Sequence, residues 1–238
     1  EKADVIKALT KQLSVLKVTE DMIKDAIAKL KLNPETPKDW TEQQLKEFAT
    51  DLRKKTKPMI IAANKVDIPG AEKNFERLKQ MFPSYLFIPC SSEGELALRE
   101  AAKAGLIDYI PGEKTFSILK EEKLSDKQKQ ALTFIKTGII EKFGSTGVQD
   151  VLNDAVFNKL KYVAIHPGGV NKLEDKDGNC LPDCFLMPGG TTALGFAFRL
   201  HTDFGNKFIC AKDCKTKMTV GRDHVLKHLD IVEIVAGK

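Results

Sequence analysis

Apolar positions along the first 57 residues recur at three- and four-residue intervals within highly charged sequence, which predicts amphipathic helices. Val5, Ile6, Leu9, Leu13 and Leu16 form one stripe. Thr19 is placed to cap a second helix, with Glu20 and Asp21 in its positive first turn and Met22, Ile23, Ala26, Ile27 and Leu30 facing inward. Pro34 and Pro37 end it. Thr41 followed by Gln44 gives a capping box for a third helix, with Leu45, Phe48 and Leu52 as its inner face. Stripes this narrow suit either a helical hairpin or coiled-coil-like arm, or an ordinary helical lobe.

From Pro58 the period changes. Met59 to Ala63 is a short apolar strand, Ala71 to Met81 a helix, Tyr85 to Ser92 a strand with a polar exit, and Leu96 to Ala104 a helix. Strand, helix, strand, helix with short connections predicts a parallel α/β sheet, whose ligands sit beyond the carboxyl ends of the strands. Two further helices follow, the first capped by Ser125 with Gln128, with a break at Gly144-Ser145. Beyond Tyr162 the pattern becomes a hairpin, a helix from Thr191 to His201, and more strands, a small α+β module of β-grasp type. The expected segments are therefore 1–57, helical; 58–160, α/β with linking helices; and 161–238, β-grasp-like. The turn "EDKDGN" lacks the remaining acidic positions of a calcium loop and reads as a hairpin turn.

The 238 residues carry 38 basic and 33 acidic side chains, a net charge of +5 that favours an anionic partner only weakly. No apolar run approaches the ~20 residues that span a bilayer, and the N-terminal stretch has no signal-peptide core, so a cytoplasmic protein without a membrane partner is expected. The chain begins at Glu1 rather than methionine, as a processed chain or a piece of a longer one would. Cys180/Cys184 and Cys210/Cys214 have wider spacing than the usual zinc knuckle; reduced thiols are expected, with metal binding or pairing as the alternatives.

Candidate chemistry lies in the two strand exits. The first strand runs into Asn64-Lys65-Val66-Asp67. A carboxylate such as Asp67 can accept from both N1–H and the exocyclic amine of guanine, an edge that adenine does not present. Asn64 can contact the base edge and tie neighbouring loops together, while the Lys65 stem can lie across the ring face. The second exit, "CSSEG", offers Ser91 as a brace and the Ser92 amide for the base O6. Asn-Lys-X-Asp alone is weak; at the end of an apolar strand, with a second strand ending in Ser-Ser about 25 residues later, it is a specific signal.

With these motifs, "LREAAKAGLIDYIPG", "FGSTGVQDVLNDAVF" and "LPDCFLMPGGTTALGFAFRLHTDFGNKFICA", the stretch from Pro58 to Lys238 resembles the back half of an Obg-like GTPase of the YchF branch, in its archaeal form. The last of these stretches resembles the TGS domain, a β-grasp module shared with threonyl-tRNA synthetases and stringent-response enzymes. The resemblance implies part of a P-loop-type G domain with a helical insertion, GTP or GDP as ligand, and Mg2+ in the intact protein only. No Gly-x-x-x-x-Gly-Lys-Ser/Thr run is present, nor an Asp-x-x-Gly ahead of Asn64; "FGSTG" and "GGTT" come after the base motif and lack the lysine. The expectation is a chain that starts inside the insertion, is not catalytic by itself, and belongs to an intact GTP hydrolase. Many members of this branch replace the base motif and resemble ATPases, whereas Lys65 and Asp67 favour GTP over ATP here.

The four histidines have no acid or nucleophile at readable spacing, so no catalytic residue is assigned. A basic run, Lys212, Lys215, Lys217, Arg222 and Lys227, suits phosphate contact, and the resemblance implies RNA or ribosome association. A solvated charged edge is the plain alternative, because no aromatic residues interleave for base stacking. Two functions follow: a GTP-hydrolysing, translation-associated switch, or a non-catalytic RNA- or ribosome-binding module in which the Asn64 loop is degenerate.

Overall fold

Three amphipathic helices need a common apolar centre, and the computed structural model, which describes residues 5–237, gives them one. Helix α1 (Val5–Leu13) runs through a short 3-10 turn, Ser14–Leu16, toward α2 (Glu20–Leu30), and α3 (Glu42–Thr56) follows. Ile23, Ala26 and Ile27 of α2 pack with Phe48 and Leu52 of α3 and with Trp40 from the intervening loop. Trp40 lies edge-on to Phe48 with ring centroids 5.3 Å apart, and its indole N–H donates to the Asn33 carbonyl at 2.8 Å. The polar tip of a buried aromatic is thereby satisfied. Thr19 accepts the Met22 amide, and the Thr41/Gln44 capping box closes in both directions. Leu45, expected inside, is instead 47% exposed. It belongs to the rim of an apolar groove with Leu9, Leu13 and Trp40.

Strand β1 (Ile60–Ala63), helix α4 (Ala71–Met81), strand β2 (Leu86–Pro89) and helix α5 (Ser92–Lys103) follow in the expected order. β1 and β2 pair in parallel from Ile60↔Leu86 to Ala63↔Pro89, so both chains leave the sheet at the same edge. The helix after β2 starts at Ser92 rather than Leu96, because Ser91 caps it and Gly94 fits a tight position in its first turn. A Cβ there would lie 3.0 Å from both Ile139 Cδ1 and Ser91 Oγ. A small antiparallel pair, β3 (Ile107–Asp108) with β4 (Ser117–Ile118), and two π-helical stretches were not legible in the sequence. The first of these stretches, Ile135–Ile140, joins α6 (Asp126–Phe134) to α7 (Glu141–Phe143). Its Ile135, Ile139 and Ile140 pack with Leu98 of α5, Ile107 and Leu132 in a second core.

The chain divides into two compact units, Glu1–Val148 and Gln149–Lys238. Their outer ends, residues 1–4 and 238, lie outside the described residues. The division falls inside α8 (Val148–Asn153), which continues as the π-helical stretch Asp154–Lys159. The second unit is built on β5 (Tyr162–Pro167), β6 (Phe185–Pro188), α9 (Ala193–Leu200), α10 (Thr202–Asn206), β7 (Phe208–Asp213), β8 (Thr219–Val220) and β9 (Asp230–Ala236). The sheet order is β6-β5-β9-β7-β8, with β9 parallel to β5 and antiparallel to β7. A hairpin, a crossing helix and a last strand inserted at the sheet centre make the β-grasp arrangement. Phe196 of α9, fully buried, meets Phe185 edge-on at 5.9 Å over Ile165, Ala211 and Val232. The β5–β6 connection is longer than a simple hairpin: a bridge at Glu174↔Cys180 closes its tip, where Asp175 accepts the amides of Asp177 and Asn179. Gly178, at φ +82°, completes this turn.

Candidate functional site

The edge where β1 and β2 end is held together by main-chain bonds that continue the ladder past the strands. Cys90 N–H donates to Ala63 O at 3.0 Å, and Val66 N–H returns to Cys90 O at 3.1 Å. Between them Lys65 adopts φ +65°, a left-handed conformation that costs an L-residue on the order of 1–2 kcal/mol. It persists because the chain on either side is fixed, an arrangement common at ligand sites. Val66 is buried and anchors the loop, while Asn64 and Lys65 are exposed and Asp67 is half-buried.

Asn64 joins the two exits. Its Oδ1 accepts the Ser92 amide at 3.0 Å. The same bond differs from one expectation: the Ser92 amide, assigned to the base O6, is engaged by Asn64. Ser91 Oγ accepts the Gly94 amide at 3.2 Å, making it the cap of α5. The carboxylate of Asp67 makes no hydrogen bond or ion pair to any other described residue, so both oxygens are available to an external donor pair. A cavity of about 380 Å3 lies on the α4 side of this loop, bordered by Asn64, Lys65, Pro69, Asn74 and Phe75. Asp67, Ser91 and Ser92 do not line it.

Behind the second exit lies a group of residues that the sequence did not single out. Glu95, on the first turn of α5 and 4% exposed, accepts Thr146 Oγ1 at 2.6 Å, Tyr109 Oη at 2.7 Å and Arg99 Nε at 2.6 Å. Burial opposes its charge, but the hydrogen bonds from Thr146, Tyr109 and Arg99 outweigh burial and hold the carboxyl below its ordinary 4.5. Burial first, and then the glutamate beside it, push the Tyr109 hydroxyl up to about 12. Thr146 also accepts the Ser91 amide at 2.9 Å through its carbonyl. The "FGSTG" segment, which in sequence resembles an incomplete phosphate loop, is therefore a brace against the end of β2. Nothing local announces this, because Glu95 and Thr146 are 51 residues apart.

In the second unit, Lys212 lies on β7, Lys215 and Lys217 in the β7–β8 turn, and Arg222 just beyond β8. Asp213 shapes the turn by accepting the Lys215 amide at 2.8 Å and the Thr216 hydroxyl at 2.9 Å. Lys215, Lys217 and Arg222 are exposed. Burial, reinforced by Glu233, pushes the Cys214 thiol upward. Among the described residues no group of three or more His, Cys, Asp or Glu side chains is arranged to hold a metal ion. No helix among them is long and apolar enough to cross a membrane.

Residues 62–169 match the family described as Obg-like GTPase YGR210-like, G4 motif-containing domain, and residues 172–236 match the TGS domain. A protein of Methanocaldococcus jannaschii named as an uncharacterized GTP-binding protein is 47% identical over 238 residues, covering 100% of this chain and 59% of the relative. One of Schizosaccharomyces pombe, named in the same way, is 25% identical over 200 residues, covering 81% of this chain and 48% of the relative. The crystal structure of a GTP binding protein from Pyrococcus horikoshii OT3 is similar with a TM-score of 0.67 and 38% identity, covering 99% of this chain and 62% of that one. The chain thus spans about half to three fifths of the length of these relatives. It carries the G4 motif-containing domain of the Obg-like GTPase family, followed by a TGS domain.

Proposed function

We propose that this chain carries the base-selecting side of a GTP site. Asp67 accepts the N1–H and exocyclic amine of guanine, Lys65 lies along the ring face, and Asn64 touches the base edge through its Nδ2. The start of α5 serves the base O6, with Ser91 as the brace and the Ser92 amide reached by exchange with Asn64 Oδ1. The observation that carries this reading is an Asp67 carboxylate without a partner among the described residues, beside the Asn64–Ser92 bond at the shared exit of two parallel strands. The triphosphate and Mg2+ are held by groups that this sequence does not contain, so hydrolysis belongs to the full-length protein and not to this chain alone. Through Lys212, Lys215, Lys217 and Arg222 the TGS domain contacts RNA, including ribosomal RNA, and the protein acts as a translation-associated switch.

Nucleotide titration of the full-length protein tests the base assignment. GTP is expected to bind more tightly than ATP. Asp67→Asn, which presents a donor where guanine also presents one, should weaken GTP by roughly 10- to 100-fold, as loss of a charge-assisted bidentate pair would. The same variant should gain affinity for xanthosine triphosphate, whose base offers an acceptor there. ATP binding as tight as GTP in the unaltered protein would overturn the assignment.

A further inference from the structure

Glu95 keeps a charged carboxylate almost fully out of water, which is unfavourable unless its oxygens are well supplied with donors. Its three donors come from three places: Arg99 one turn along α5, Tyr109 after β3, and Thr146 before α8. Thr146 is the member that faces both ways. Its hydroxyl donates to Glu95, and its carbonyl receives the amide of Ser91, the capping residue of α5 and neighbour of Ser92. The next residue, Gly147, has φ +80°, and a Cβ there would lie 1.8 Å from the carbonyl oxygen of Pro89, the last residue of β2. The segment 145–147 is thus wedged between the strand end and the buried carboxylate. The Ser91–Ser92 exit is fixed from behind by Thr146 and from the front by Asn64.

We infer that Thr146 and Glu95 are positioning residues for base selection: they hold the Ser91–Ser92 exit where it discriminates guanine from adenine. This rests on the base-pocket reading above. It assigns to "FGSTG" a task in specificity instead of phosphate binding. The Thr146 hydroxyl acts through Glu95 and the loop, and touches no nucleotide itself.

Affinities of the full-length protein carrying this chain for GDP and ADP, measured by nucleotide titration, test this. Thr146→Val keeps the shape of the side chain but removes the hydroxyl. It is expected to lower the GDP/ADP affinity ratio by about tenfold, the equivalent of one lost hydrogen bond at a buried charge. Thr146→Ser restores the donor and should bring the ratio to within about twofold of the unaltered protein, with ADP affinity the same in all three. If the unaltered protein prefers GDP and Asp67→Asn abolishes that preference, but Thr146→Val leaves the ratio unchanged, the positioning role is overturned while the base pocket stands. If the protein has no preference and Asp67→Asn changes nothing, the base pocket falls and the positioning role with it. Should Thr146→Val fail to fold, Tyr109→Phe removes a different donor from the same carboxylate, and an unchanged ratio in that variant overturns the proposal equally.

Discussion

Glu95 and Tyr109 form a hydrogen-bonded pair whose protonation makes stability depend on pH. The folded state holds the Glu95 carboxyl below 4.5, so its contribution to stability is complete above that value and is lost as pH falls through the lower folded value. Tyr109 has the opposite sense. Its hydroxyl rises from 10.0 to about 12, so stability is complete below pH 10 and is lost as pH climbs toward 12, by roughly 1–2 kcal/mol once solvent screening is allowed for. Urea unfolding across pH 9 to 12 should show this decline, and Tyr109→Phe should remove most of it; an alkaline limb identical in both proteins would refute the assignment. In the sequence neither residue could be found. The Asn64-Lys65-Val66-Asp67 motif was legible because its residues are contiguous, whereas the Glu95 partnership depends on hydrogen bonds across 14 and 51 residues.

Helices were the most legible elements, because caps and stripes are local. Thr41 accepts the Gln44 amide at 3.2 Å and Gln44 Oε1 receives the Thr41 amide at 2.9 Å, as the four-residue pattern required. Thr41→Ala removes one half of this box and should destabilise the chain by about 1 kcal/mol, while Thr41→Ser should cost much less. Equal losses in denaturant midpoint for the two variants would show that α3 depends on packing and not on its cap. Helix ends were less legible where tertiary contact decided them: α5 begins at Ser92 because Ser91 caps it and Gly94 fits beneath Ile139. The π-helical stretch Ile135–Ile140 has an ordinary helical sequence, and its apolar side chains pack into a core shared with α5 and β3.

For the molecule as a whole, charge is distributed unevenly. The net excess of +5 is small, yet Lys215, Lys217 and Arg222 stand exposed within eight positions around the β7–β8 hairpin. If this hairpin binds RNA phosphates, replacing Lys215 and Lys217 by Ala should weaken binding for every sequence tested. The dependence of log affinity on log salt should also become shallower, by roughly 0.7 for each lysine–phosphate pairing removed from a single-stranded RNA. Binding indifferent to salt in both proteins would leave these lysines as a solvated edge. The sequence alone determined the order of the main helices and of the first two strands, the parallel relation of those strands, the β-grasp module and the position of the Asn64–Asp67 motif, because each is written in periodicity, caps and contiguous residues. Only the tertiary structure decided that Asn64 engages the Ser92 amide, that Asp67 is unpartnered among the described residues, and that "FGSTG" stands behind the strand exit. Those facts depend on which distant groups a buried donor or carboxylate finds when water is withdrawn, and no local pattern encodes that choice.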